Sequence, residues 1–214
     1  MLIKFLRHPA DSCFMSTNKN YFVIAALVAA DLHAAMAVAQ GISLTASNAR
    51  ALALRAGQGA AGFRAITDSI EELATATVSS SRLINEHASA FSQTSADMAR
   101  AETALARFDW AYESAHDSPY LSSLDGAYRR TQMKHRRLQN VFKQQVRALC
   151  SKLEELASEL RTATVLAAMS RVEASQAGAQ FEGPLNLVAQ NVADAAAEIQ
   201  RLVRSSQQRF TYLA

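Results

Sequence analysis

The chain has 214 residues, half of them hydrophobic, which is enough for one large domain. Its seven Gly and three Pro are too few for a loop-rich fold and favour long helices. The net charge of +3 allows an acidic partner without requiring nucleic acid, and the two cysteines show no CxxC or His spacing that would indicate a disulfide framework or a zinc site.

Residues 1–20 have no sustained hydrophobic period and are predicted to be a flexible N-terminal leader. Asp31 and His33 interrupt the apolar run that follows, so its uninterrupted length is about ten residues, short of the roughly 20 that a membrane span needs. A signal peptide, with Ala-Met-Ala at 35–37 as its cleavage site, is the alternative. The spacing argues against a signal peptide, because cleavage there would cut a helix in two. Apolar or small residues recur in one unbroken helical period at 25, 28, 32, 35, 39, 42, 46 and 49. We therefore expect a reduced, cytoplasmic protein.

Three glycines, Gly57, Gly59 and Gly62, separate two Ala-rich segments that have strong helix propensity. This arrangement predicts two long helices that fold back at a tight turn. Around the turn, an ordered set of residues comprises Asn48, Arg55-Ala56-Gly57, Gly62-Phe63, Ile66, Ile70 and Leu73-Ala74. In order and spacing, residues 41–74 resemble the cytoplasmic signalling hairpin of bacterial methyl-accepting chemotaxis receptors.

A second copy of this plan lies at residues 163–199. The positions that correspond are Arg171 with Arg50, Ala177-Gly178 with Ala56-Gly57, and, after a one-residue insertion, Leu185, Val188 and Val192 with Phe63, Ile66 and Ile70. Val172-Glu173-Ala174 is also receptor-like, whereas the first copy has Leu52 in place of the glutamate. Two partial matches in one chain indicate an internal duplication.

The return helix after the first turn keeps a spacing of three and four residues over seven heptads, which is typical of a coiled coil. Its seam is Phe63, Ile66, Ile70, Leu73, Thr77, Ser80, Ile84, His87, Phe91, Thr94, Met98, Ala101, Leu105, Phe108 and Tyr112. His87 is accordingly predicted to be a hydrogen-bonded core histidine rather than a ligand.

Residues 113–130 collect His, Asp, Ser, Pro and Gly, and they predict a turn at the far end of the rod, with Ser118-Pro119 starting the third helix. The third seam is Phe142, Val146, Leu149, Leu153, Leu156 and Leu160. Gly183-Pro184 is predicted to begin the fourth helix, whose seam is Leu185, Val188, Val192, Ala195, Ile199 and Leu202.

These elements predict an all-α protein, a long antiparallel four-helix bundle or coiled coil with up-down-up-down order. It forms one domain, residues 21–214, from two hairpins, 21–114 and 118–213. The two inner helices are the longer ones, so we expect them to continue as a two-helix stalk. Since the receptors build their bundle from two chains, the resemblance implies a monomer that mimics a receptor dimer.

Residues with the spacing of an active site are not evident. Gly57-Gln58-Gly59-Ala60-Ala61-Gly62 spells a dinucleotide fingerprint, but no strand precedes it, as that fingerprint requires. We expect no enzyme, cofactor or metal site, and the Ala-rich layers leave little room for a small-molecule sensor. The resembled receptors are methylated at glutamates. Glu71-Glu72 and Glu154-Glu155 meet that pattern in part, and we expect solvent-facing charges there.

The third helix carries a basic run with no acidic residue inside it: Arg129, Arg130, Lys134, Arg136, Arg137, Lys143 and Arg147. On a helical wheel these residues lie opposite the apolar seam. A solvated face is the simplest interpretation, an anionic membrane surface or an acidic protein is the functional one, and nucleic acid is not favoured.

The resemblance implies contact with the chemotaxis coupling adaptor, the receptor-coupled histidine kinase or receptor tips. The residues expected at that contact are Asn48, Arg55, Phe63, Ile66, Glu173 and Val188. The alternative function is that of a phasin-like or scaffold protein that binds an anionic surface through its basic helix.

Overall fold

The computed structural model describes the backbone of residues 9–115 and 117–211 and the side chains of residues 23–115 and 117–210. The helices are α1 (Pro9–Ala56), α2 (Ala61–Ser114), α3 (Asp125–Gln176) and α4 (Ala179–Thr211), with 3-10 turns at Gly57–Ala60 and Leu121–Leu124. No strand occurs in these ranges. The predicted all-α class is confirmed.

The four helices form a closed ring. Each helix packs against the next one in the chain, and α4 packs against α1. Because a short turn joins α1 to α2, another joins α3 to α4, and a loop of ten residues joins α2 to α3, neighbouring helices run antiparallel. The architecture is therefore the predicted up-down-up-down helical bundle.

The predicted seams of α1 and α3 lie in the core without exception, since every residue of both is buried. At the stalk side of the core, three rings from three helices meet. The Phe91 ring lies 4.9 Å from that of Phe142 and 5.7 Å from that of Phe210, measured between centroids. This cluster ties α2, α3 and α4 together where α4 ends.

The seams of α2 and α4 shift by one residue at three places. Ser81, Ala88 and Ala196 are buried where Ser80, His87 and Ala195 were predicted. The displacement is local and the heptad phase is kept, since Ile84, Phe91 and Met98 of the same count are buried. His87 is consequently half-buried at the margin, and Ala88 takes the core position.

Both hairpin turns depend on a glycine with positive φ, +67° at Gly57 and +86° at Gly178. After Gly178 the helix begins at once, because its carbonyl accepts hydrogen bonds from the N–H groups of Phe181 and Glu182. The predicted start of α4 at Gly183-Pro184 is therefore wrong. Pro184 lies inside the helix, near its N-terminus.

We use "stalk" for the part of α2 and α3 beyond the end of α4. Of the two outer helices only α4, with 33 residues, is short, because α1 has 48 residues against 54 in α2 and 52 in α3. The expectation that both outer helices are short, from which a two-helix stalk was predicted, is therefore wrong for α1.

In the stalk, Tyr128 packs edge-on against Phe108 and Tyr112, and the Tyr112 hydroxyl donates to Asp125 at 2.7 Å. The predicted helix start at Ser118-Pro119 is wrong, since α3 begins only at Asp125. The Ser118 hydroxyl instead accepts a hydrogen bond from the Tyr120 N–H at 3.4 Å and supports a turn.

The first helix begins at Pro9, so the predicted flexible leader, residues 1–20, is helical in its backbone from that residue on, and residues 1–8 lie outside the described range. The described helical chain from Val23 contains an 18-residue window with mean hydropathy 1.7, of which 28% is buried in the bundle. By length and composition it could cross a membrane, and the core helix of a soluble protein or a signal sequence would meet the same criteria. Averaging over the window tolerates Asp31 and His33, which a count of uninterrupted apolar residues does not.

Candidate partner-binding surfaces

The two hairpin turns lie side by side at one end of the bundle, which we call the tip. A Cβ added to Gly59 would lie 3.3 Å from the Gln176 carbonyl oxygen and 3.7 Å from the Ala177 backbone. A Cβ on Gly62 would collide with the Glu173 carboxylate. The glycines of the first turn thus allow the second hairpin to approach closely.

An arginine links the two arms at equivalent places in both hairpins. Arg50 pairs with Asp68 in the first hairpin, and Arg171 donates to Gln190 at 2.7 Å in the second. The separations along the chain are 18 and 19 residues, which agrees with a one-residue insertion in the second copy. This correspondence supports the internal duplication inferred from the sequence.

The predicted contact residues divide into two groups by burial. Phe63 is 0% exposed, and Ile66 and Val188 are buried beside it in the core. These three side chains shape the tip from inside and offer no surface to a partner while the bundle is closed. By contrast, Asn48 and Arg55 are exposed, and Glu173 is half-buried over Gly62.

Apolar side chains that belong to none of the predicted seams are exposed near the tip. Leu187 is 62% exposed and Val172 59% exposed, and Leu54 and Met169 are also exposed. The sequence could have predicted their exposure, because these large apolar residues lie outside every heptad seam. These four exposed apolar side chains are the candidates for protein contacts near the tip.

The glutamate pairs differ in their surroundings. Glu71 is half-buried and accepts a hydrogen bond from Ser43 at 2.5 Å, so the expectation of a solvent-facing charge is wrong for it. The other three are exposed, as expected. The pKa of Glu155 is lowered by its hydrogen bond with Lys152.

All six predicted basic residues, Arg129, Arg130, Lys134, Arg136, Arg137 and Lys143, are exposed, and so is Arg147. We call these seven the basic face. They form no ion pair with any side chain in the described part of the molecule. Met133, 62% exposed, lies among them.

The remaining sequence features carry no built site. The dinucleotide-like motif forms the first turn and the start of α2, and a helix precedes it. Among the described residues no group of three or more His, Cys, Asp and Glu side chains could hold a metal ion. Burial, followed by the nearby Glu154 charge, raises the pKa of the half-buried Cys150 thiol. The side chain of Cys13 lies outside the described range.

No family model, curated protein or solved structure matches this chain. The tip and the basic face are therefore the two surfaces on which a functional proposal can rest.

Proposed function

We propose that this protein is a chemoreceptor-like signal-transduction bundle that acts by protein–protein contacts at its tip. The partner class implied by the resemblance is the chemotaxis coupling adaptor, the receptor-coupled histidine kinase or the tips of receptors. On this proposal the protein is bacterial and works in the cytoplasm, where it modulates chemosensory arrays.

One observation carries the proposal: the two turns meet at the same end of a single-chain bundle. A receptor-like contact surface needs two hairpin tips in register, and in this chain the close approach of Gly59 to Gln176 sets that register. Arg50 and Arg171 also connect the two arms at equivalent positions, which supports a common plan for both hairpins.

The contact itself falls to exposed side chains rather than to the buried part of the motif. Leu54, Val172 and Leu187 provide apolar area, and Arg55 provides charge next to the first turn. Because a few buried aromatic or aliphatic anchors dominate most interfaces, truncating one or two of these side chains should reveal the site. Substitutions at Phe63 would instead disturb the core.

The test is a pull-down of the purified chain with the coupling adaptor, the kinase and receptor tip fragments, each added separately. The variant Leu54→Gln with Leu187→Gln should reduce binding at least tenfold, as expected for the loss of more than 1.4 kcal/mol at an anchor. The matched control is Leu44→Gln, an equally exposed leucine of α1 several turns from the tip.

Retained binding by the control and loss by the tip variant would support the proposal. The proposal fails if the wild-type chain binds none of the three partners, or if the control and tip variants lose binding equally. Circular dichroism should show unchanged helicity for both variants, since all three side chains point to solvent.

A further inference from the structure

The basic face is continuous and confined to one side of the stalk. Arg129, Arg136 and Lys143 are spaced by seven residues and therefore follow nearly one line along α3. Arg130 and Arg137 follow a second line on the other flank, and Met133 lies between the two lines. The face extends over about 27 Å, from 129 to 147, at 1.5 Å per residue.

The charge of the stalk is unevenly divided between its two helices. From Gly126 to Leu153, α3 has no acidic residue, and Asp125, its first residue, lies one turn before Arg129. Apart from Asp125, the acidic residues of the stalk lie on α2, and Glu102 contacts His135 at 3.2 Å beside the helix–helix seam. Arg129 lines a shallow pocket together with Asp109, Glu113 and Asp125. The other six cations of the basic face are exposed and form no ion pair in the described structure.

We propose that the basic face binds the surface of an anionic lipid bilayer. Two rows of long cationic side chains beside an exposed methionine suit a plane of phosphate and carboxylate headgroups, because the charges can reach the headgroups while Met133 enters the interface. Tyr120, highly exposed in the loop at the end of the stalk, adds an amphipathic ring of the kind enriched at membrane interfaces.

Bilayers fit this face better than duplex nucleic acid does. Along the middle of the face, Met133 is followed by the exposed amides Asn140 and Gln144. A bilayer interface accommodates the methionine as well as the amides, whereas base readout would use only the amides. No array of exposed aromatic side chains interleaves with the cations for stacking on single strands. A lipid surface makes use of both the charge and the apolar side chains.

The bound region ends where the outer side of α3 changes character. Beyond Arg147 the same line along α3 carries Glu154 and then Arg161, and the outer side becomes uncharged at Val165 and Met169. An anionic surface repels the glutamate, so only the stalk contacts the membrane. The tip is left free, and this inference consequently does not depend on the function proposed for the tip.

The experiment is flotation of the full chain with vesicles of phosphatidylcholine containing 30% phosphatidylserine, at about 0.1 M salt, where electrostatic contacts still act. The wild-type chain should float, and it should release at 0.5 M salt. The triple variant Arg129→Gln, Arg136→Gln, Lys143→Gln should bind on the order of 100-fold more weakly, from the attraction usually lost per cation.

A matched control removes the same charge elsewhere: Arg82→Gln, Arg161→Gln and Arg204→Gln, three exposed arginines of the bundle half. Flotation of the control at the wild-type level supports the inference. It is overturned if the wild type does not float, if both triple variants lose binding equally, or if pure phosphatidylcholine vesicles bind as well. Retention on a 30-base-pair duplex without vesicle binding would instead assign the face to nucleic acid.

Discussion

Arg171 donates a hydrogen bond to Gln190 at 2.7 Å, at the place in the second hairpin where Arg50 pairs with Asp68 in the first. The arginine therefore makes the same contact between the two arms in both hairpins, with a charged acceptor in the first and a neutral acceptor in the second. Because both arginines are exposed, this link sets the alignment of the arms more than it stabilises them.

The substitution Gln190→Asp should convert the neutral link into an ion pair like that of the first hairpin, while it removes the hydrogen bond that Gln190 donates to Asp194 at 2.8 Å. We expect the free energy of unfolding to change by less than about 1 kcal/mol, since both groups remain in contact with water. Any change should disappear at high salt. Urea titrations at 0.05 M and 1 M salt measure it, and a salt-independent change above that limit would contradict the interpretation.

The three glycines Gly41, Gly57 and Gly178 should respond in opposite directions to alanine. At the two turns, positive φ makes alanine unfavourable by about 1–2 kcal/mol. In the middle of α1 a Cβ on Gly41 meets nothing within 4 Å, so Gly41→Ala should stabilise by up to about 1 kcal/mol. Thermal unfolding of the three single variants checks the signs, and stabilisation by Gly178→Ala would refute the turn geometry.

Phe91→Ala should be among the most destabilising single substitutions in the bundle. The ring is fully buried and contacts rings of α3 and α4, so its removal leaves a cavity among three helices at a cost of about 3–5 kcal/mol. Leu44→Ala, at an exposed position of α1, is the control and should cost about 0.5 kcal/mol or less. Denaturant unfolding compares the two.

Tyr112 should report on the stalk through its ionisation. Its hydrogen bond to Asp125, the largest cause, raises the pKa of the phenol from 10.0 to about 12. The raised pKa means that the contact contributes fully below pH 10 and is lost as the pH rises through 12. Ring-carbon NMR should show the Tyr112 pKa returning toward 10 in Asp125→Asn, and an unchanged pKa there would contradict the assigned cause.

Heptad spacing predicted the helices, their order and most of the core, because burial on a coiled coil repeats with the backbone. It failed at Ser80, His87 and Ala195, where the next residue takes the core position although the predicted seam continues on either side. It also placed two helix starts at prolines. At Pro119 a 3-10 turn intervenes, and before Pro184 the Gly178 carbonyl already starts the helix.

The surfaces were predicted less completely than the core. The basic face follows from the sequence because charged residues opposite an apolar seam lie on the solvent side of a helix. The exposed tip residues do not follow from the sequence, since a match to a motif does not show which residues of the motif point into the core. Phe63, Ile66 and Val188 are buried because they continue the seam, and Leu187 is exposed because it falls between seam positions.

The covalent connection between the hairpins passes only through the loop from Ala115 to Leu124. Intact, the chain assembles its bundle in a unimolecular reaction, whose rate is independent of dilution. A single proteolytic cut in that loop would leave the packed hairpins in place yet turn refolding into a bimolecular encounter. The nicked protein should then denature at a temperature that rises with concentration, whereas the intact chain should not.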